Sequence, residues 1–368
     1  MIKYRDFGPN LTIAARGGNT PRLKKLTAID LFAGCGGLTA GLKTAGYCVL
    51  AAVEIDDRAR ETYSLNHRDV WLAGKDICDV DPKKIMRKLK IRRGELDLLA
   101  GCPPCQGFSR IRKRNKARAA RDDRNGLIEE FGRFVEALAP KLIMMENVPG
   151  LQKHYRFGNL VKYLESVGYT TRVEVMDTAD FAVPQRRKRL ILAASLSGRP
   201  NLATPKIDRK TVKAAIGQLP IPGKSGDTLH DLPENRCTRV RAMIRAIPAD
   251  GGSRSDLPSH MRLRCHARAR GFFDVYGRMS WKRVAPTITG GCHNPSKGRF
   301  LHPTQHRTIT LREAAILQGF RRRYRFNVSH GKEAIALMIG NALPPAFIAA
   351  HGRALAKGLR STAKGASG

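Results

Sequence analysis

Between residues 97 and 109 the chain reads "DLLAGCPPCQGFS", an apolar run ending in two prolines bracketed by Cys102 and Cys105. The CxxC spacing admits zinc binding, dithiol redox chemistry, two buried structural thiols, or one nucleophile on a loop stiffened by Pro103 and Pro104. A structural zinc site needs about four ligands, yet the cysteines at 35, 48, 78, 237, 265 and 292 form no second close pair, so no metal site is expected. A redox pair leaves the rest of the motif set unexplained. A second apolar run, "LIMMENVPG", delivers Glu146 and Asn147 to a loop that should lie beside the cysteines. The cluster "QRRKR", 185–189, adds permanent positive charge through Arg187 and Arg189. Thiolate, carboxyl and guanidinium in one cleft suit covalent catalysis on a bound ring or carbonyl.

The other strand-like runs end in groups of a different kind. "DLFAGCGGLTAGL" supplies Asp30 and then Gly34, Gly36 and Gly37 ahead of a helix, a turn that lets backbone amides approach a ligand. The next run ends in Glu54, 17 residues after Gly37, where nucleoside-binding sheets place an acceptor for ribose hydroxyls. "GKDI" then offers Asp76 and Ile77, a polar and an apolar group able to flank an adenine ring. Three acids at successive strand ends point to a nucleoside cofactor.

These residues must be held by alternating strands and helices. Apolar runs "LTAIDLF", "CVLAAVE", "ELDLLAG", "KLIMMEN", "TTRVEVMD" and "RLILAAS" alternate with helical patterns near 38–45, 127–138 and 160–167. That alternation predicts an α/β fold with a doubly wound, mainly parallel sheet. Residues 1–25 read as a basic extension, with six Lys or Arg against one acid, and 26–198 as the first part of a catalytic domain. The span 199–304 breaks the pattern with Pro, Gly and His and reads as a smaller irregular domain. Helical patterning returns over 305–360, and 361–368 is expected to be a disordered tail.

In this order the motifs resemble those of the cytosine-C5 DNA methyltransferases, which use S-adenosylmethionine, over about 26–350. "DLFAGCGG" is similar to that family's cofactor loop, "PPCQGFS" to its nucleophile loop, "ENV" to its catalytic glutamate and "QRRKR" to its QxRxR element. "APTIT", "RTITLREAAILQGF" and "IGNALPP" match further segments. The resemblance implies a Rossmann-like fold with a target recognition domain, and a catalytic set of Cys105, Gln106, Glu146, Asn147, Arg187 and Arg189. Cys105 would add to C6 of cytosine, Glu146 would hold N3 and the exocyclic amine, and C5 would then take the methyl group. Cys102 would occupy an ordinary loop position. The cofactor set becomes Asp30, Phe32, Ala33, Gly34, Gly36, Gly37, Glu54, Ile55, Asp76, Ile77, Pro104 and Asn341, although Asn341 also suits a helix cap.

Charge supports a polyanionic partner. The net charge is +36 and the pI about 10.6, and no run of about 18 apolar residues suggests a membrane span. The expected partner is double-stranded DNA, with the target base leaving the stack. The protein is expected to be a cytoplasmic, nucleoid-associated prokaryotic monomer with reduced thiols, acting alongside a cognate restriction endonuclease or another defence system. The run "RIRKRNKARAARDDR", 110–124, holds eight Lys or Arg against two Asp and reads as a loop closing on the DNA backbone. Its contacts, with neighbours, would be Ser109, Arg110, Arg112, Lys113, Arg114 and Arg124, joined by Thr287, Arg321 and Arg322. Residues 199–283 carry 18 Lys or Arg against seven acids and read as the recognition region. Where the family usually has proline after "LQGF", this chain has "RRRYRF". RNA cytosine methylation and an inactive DNA-binding protein are the rival readings.

Overall fold

Alternation of apolar runs with helices produces a seven-stranded sheet in the computed structural model, which describes residues 25–104, 126–206, 208–263 and 273–365, with side chains to 362. The elements run β1 (Thr27–Leu31), α1 (Gly37–Ala45), β2 (Cys48–Val53), α2 (Asp57–Asn66), β3 (Trp71–Gly74), α3 (Pro82–Leu89), β4 (Leu98–Gly101), α4 (Leu127–Leu138), β5 (Leu142–Asn147), α5 (Tyr155–Ser166), β6 (Thr170–Asp177) and β7 (Lys188–Ser195). Strand order is β3-β2-β1-β4-β5-β7-β6, and β7 alone runs against its neighbours. The mainly parallel expectation therefore holds. Every residue of β4 and β5 is buried, as strands covered on both faces must be.

Alternating side chains feed two cores. Ala28, Leu98, Ala100, Leu142, Met144 and Ile191 pack on one face with α1 and a C-terminal helix, α10. Ile29, Leu31, Leu99, Ile143, Met145 and Leu192 pack on the other face with α4 and α5. After the sheet come α6 (Val212–Ile216), α7 (Thr238–Ala246), α8 (Leu311–Leu317), α9 (Gly331–Asn341) and α10 (Pro345–Gly365).

The span 199–304 does not form one core of its own. Leu202 joins the sheet core, while Val212 to Leu229 and Met279 to Phe300 share a third core with α8 and α9. Among the described residues, Met243, Ile244, Ile247, Leu257, Val275, Tyr276 and Leu301 form a separate small core. Beside it, Arg278 is 1% exposed and donates to the carbonyls of Ile244, Ile247, His302 and Gln305.

Three elements lie outside the sequence expectations: β3 has four residues, α2 buries only Ala59, Thr62 and Tyr63, and α3 is short and charged. The expected tail also needs correction, because α10 continues to Gly365. The most apolar stretch, 328–362, has a window of mean hydropathy 1.5 that is 61% buried in the protein. The sequence interrupts it with Pro344 and Pro345, and its apolar groups face the cores.

Candidate active site

The strand order reverses between β1 and β4, so the loops leaving their carboxyl ends diverge there and open a crevice. The glycine loop follows β1, and Cys102, Pro103 and Pro104 follow β4. Because β7 is antiparallel to β5, its first residues lie beside the end of β5, with Glu146 opposite Ile191 and Asn147 opposite Leu190. One mouth thus collects residues separated by up to three hundred positions. Phe32, Ala33, Gly34, Glu54, Ile55, Asp76, Ile77, Pro104, Glu146, Asn147, Arg187, Arg189 and Asn341 all line a single cavity of about 740 Å³.

At the glycine-loop end, Phe32 and Gly34 adopt φ values of 62° and 55°, and a Cβ on Gly34 would meet nothing within 4 Å. The loop is tied to β2 through Glu54, whose Oε2 accepts the Gly34 N–H at 2.7 Å and whose Oε1 accepts the Asp56 N–H at 2.9 Å. Burial raises the pKa of this carboxyl. Asp76 accepts the Cys78 N–H, Ile77 is buried, and Ile55 is 63% exposed beside the cavity. An acceptor, an open glycine turn and flanking aliphatic groups suit a nucleoside with a polar tail.

Glu146, 2% exposed, stands at the other end. Pairing of Ala100 with Met144 and Gly101 with Met145 extends to put Cys102 beside Glu146, and the Cys102 thiol donates to Oε2 at 3.1 Å. Arg189 Nε lies 2.8 Å from Oε1 as an ion pair. Burial raises the Glu146 pKa, against the lowering influence of Arg189 and Arg187. Arg187 donates to the carbonyls of Ile288 and Gly340, each at 2.9 Å, and its buried Nε has no partner among the described residues. Burial and the neighbouring Arg189 push its pKa down to about 9, which keeps it a cation at neutral pH. A buried carboxyl beside a buried guanidinium whose Nε has no partner among the described residues suits a site that takes a polar ligand.

Other expected residues have different places. Asp30 does not line the cavity: it is fully buried behind the glycine loop and accepts the Thr39 hydroxyl at 2.6 Å, with burial raising its pKa to about 7. Gly36 and Gly37 also pack inward, since a Cβ would come within 2.6 Å of His67 and Tyr324, or 2.4 Å of the Leu343 carbonyl. Asn147 acts on the loop, donating to the Pro103 carbonyl at 2.9 Å. Asn341 is exposed at the end of α9, directly before the capping residue Ala342. Thr287 spends its hydroxyl on the Arg186 carbonyl at 2.7 Å. Arg321 and Arg322 are exposed, with Arg321 reaching Thr44 near the far end of α1 from the glycine loop. Cys105, Gln106, Ser109, Arg110, Arg112, Lys113, Arg114 and Arg124 lie outside the described residues, as does the extension at 1–24.

Sequence reasoning missed the Cys102–Glu146 contact, although alternation along Leu98, Ala100 and Cys102 was the signal for it. It also missed Leu337, Met338 and Leu343, which close the cavity from the C-terminal side. Among the described residues no cluster of His, Cys, Asp and Glu is built to hold a metal.

Comparison with known proteins points the same way. The family model for the C-5 cytosine-specific DNA methylase matches residues 26–357. A Type II methylase of Herpetosiphon aurantiacus, M.HgiDII, is 35% identical over 92% of this chain and 96% of its own. The Type II methyltransferase M.XorII of Xanthomonas oryzae pv. oryzae is 33% identical over 90% and 85%. Among solved structures, a putative DNA modification methyltransferase encoded within an E. coli prophage superposes with a TM-score of 0.67 at 26% identity, covering 91% of this chain and 99% of that one.

Proposed function

This chain belongs to the C-5 cytosine-specific DNA methylase family and is a DNA cytosine-C5 methyltransferase, and from that premise we propose which residues do the work. The carrying observation is one cavity with Glu54 and the glycine loop at one end and the buried Glu146 carboxyl, paired with Arg189, at the other. S-adenosylmethionine fits the first end, where it would supply an electrophilic methyl group on a sulfonium sulfur. Glu54 has remaining lone pairs for ribose hydroxyls, Phe32, Ile55 and Ile77 offer apolar faces for adenine, and Asp76 can accept from its amine. Asn341 borders the same cavity.

At the other end Glu146, in the protonated form that burial favours, donates to N3 of an everted cytosine with one oxygen and accepts from the exocyclic amine with the other. Holding the ring there favours charge build-up on N3 as the Cys105 thiolate forms its bond to C6. An unperturbed thiol of pKa about 8.5 is mostly protonated at neutral pH, so permanent charge on Arg187 and Arg189 assists the thiolate. Arg189 also holds Glu146, and Cys102 donates to the same carboxyl. Once C5 has gained the methyl group that the cofactor would supply, release of the C5 proton to solvent lets the S–C6 bond break, returning Cys105 as thiolate. Asn147 positions the loop through Pro103.

The basic loop 109–124 and the 199–304 region serve backbone contact and recognition of double-stranded DNA. We place the protein in a bacterial cell beside a cognate endonuclease, as the Type II names of its relatives suggest. The test is transfer of tritiated methyl from S-adenosylmethionine to unmethylated plasmid and to RNA. DNA should be labelled and RNA not; Cys105→Ser should abolish labelling while Cys102→Ala keeps an appreciable part. Label on RNA alone, or loss with Cys102→Ala only, would contradict this assignment.

A further inference from the structure

Behind the glycine loop, on the side away from the cavity, His67 and Tyr324 form a buried polar pair. They are 4% and 7% exposed, and neither lines the cavity. Tyr324 OH donates to the Cys35 carbonyl at 2.6 Å. His67 Nε2 lies 3.0 Å from Tyr324 OH and 3.2 Å from the Gly36 carbonyl. One proton assignment satisfies the tyrosine hydroxyl, the ring Nε2 and both carbonyls. A carbonyl can only accept, so the single tyrosine proton goes to Cys35 and Nε2 carries the proton shared between the tyrosine oxygen and Gly36. Nδ1 is buried with no partner among the described residues, and burial lowers the His67 pKa to about 4, keeping the ring neutral.

The pair thus grips two successive carbonyls of the loop. A trans peptide sets its N–H antiparallel to its C=O, so anchoring the Cys35 and Gly36 carbonyls also fixes the N–H groups of Gly36 and Gly37. Gly36 has φ 96° and lies flat against the clamp, because a Cβ there would sit 2.6 Å from both side chains. The two residues come from distant elements. His67 caps the end of α2 and stacks on Tyr63 at 4.8 Å, whose hydroxyl continues through Thr39 to Asp30. Tyr324 follows α8, seated by Phe320 at 4.5 Å and Phe326 at 5.5 Å.

We propose that Tyr324 and His67 are positioning residues for cofactor binding, a clamp through which the C-terminal return of the chain holds the glycine loop in its binding conformation. This rests on the reading that the cavity beside Glu54 receives S-adenosylmethionine. The contribution comes from the hydroxyl and the ring N–H acting on loop carbonyls, with no contact to the ligand.

The test is titration calorimetry of S-adenosylmethionine on the full chain for Tyr324→Phe, His67→Gln, His67→Leu and Glu54→Ala. Thermal melting and DNA binding measured on each variant separate positioning from general destabilisation. Tyr324→Phe keeps the ring and its aromatic neighbours, and should raise the cofactor Kd about 3- to 30-fold with melting temperature and DNA affinity near wild type. His67→Gln, which can still donate, should retain more affinity than His67→Leu. A wild-type Kd for Tyr324→Phe with a raised one for Glu54→Ala would overturn the clamp and leave the cavity assignment standing. Wild-type values for both would overturn the cavity assignment and the clamp with it. A parallel fall in cofactor affinity, DNA affinity and melting temperature for Tyr324→Phe would show a merely structural residue.

Discussion

Glu146 occupies its place because three strands converge on it: β5 carries it, β4 brings Cys102 to one oxygen, and the antiparallel start of β7 brings Arg189 to the other. Its role is the claim most exposed at this scale. Glu146→Gln preserves shape but replaces one acceptor oxygen with a donor, and should lower kcat by at least about 100-fold while calorimetry finds the cofactor Kd unchanged. A Kd shift larger than the kcat loss would move Glu146 to the cofactor end. The chemistry-bearing residues were legible because their types are rare in apolar strand ends: Glu54, Glu146, Arg187 and Arg189 all reach the cavity. Asp30 was misread for a reason of parity. In β1 it points to the α1 face, where Thr39 takes it, rather than beyond the strand end. Gln185, read as part of a catalytic motif, donates to Gln318 and accepts the Ile288 N–H at 2.8 Å, joining "QRRKR" to the "PTIT" segment. Spacing alone could not separate a strut from a ligand.

At the scale of elements, close approach of backbones holds the cavity walls. A Cβ on Gly340 would lie 2.2 Å from Gly290 N and 2.3 Å from the Thr289 carbonyl carbon, so α9 touches the "PTIT" segment with no side chain between. The same residue's carbonyl receives Arg187. Gly340→Ala should therefore cost about 1–3 kcal/mol by overpacking and depress activity beyond the loss of folded protein, seen by melting and by activity per folded molecule. Normal activity and stability would mean that this contact yields easily. The long apolar strands were legible from their runs, and α4 falls on its expected residues. The missed β3, α2 and α3 share a cause: each is short or buries few side chains, so periodicity has little to act on. Only the last turn of α10, from 361, reads as a tail because it is rich in Gly, Ala, Ser and Lys, whereas the earlier turns show their helical pattern and pack against α1.

For the whole molecule, a net charge of +36 is the largest single fact about its partner. DNA affinity should fall steeply with salt, and reversing Arg112, Lys113 and Arg114 to Glu should flatten the slope of log K against log salt by about 2–3 units if each meets a phosphate. An unchanged slope would make 110–121 a solvated surface loop. The distribution of cores shows why 199–304 resists a simple boundary: much of it packs with α8 and α9, and among the described residues a small cluster around Met243 and Tyr276 stands apart. Which side chains read bases was not legible, since arginine is abundant throughout and sequence does not mark the few that reach a groove. Methyl transfer to cytosine C5 in a particular duplex sequence can be read by bisulfite sequencing of unmethylated plasmid after incubation with the protein and S-adenosylmethionine, beside a Cys105→Ala control. Conversion-resistant cytosines should be confined to one short motif and absent from the control. Full conversion by folded, cofactor-binding protein, or protection that survives Cys105→Ala, would contradict that assignment.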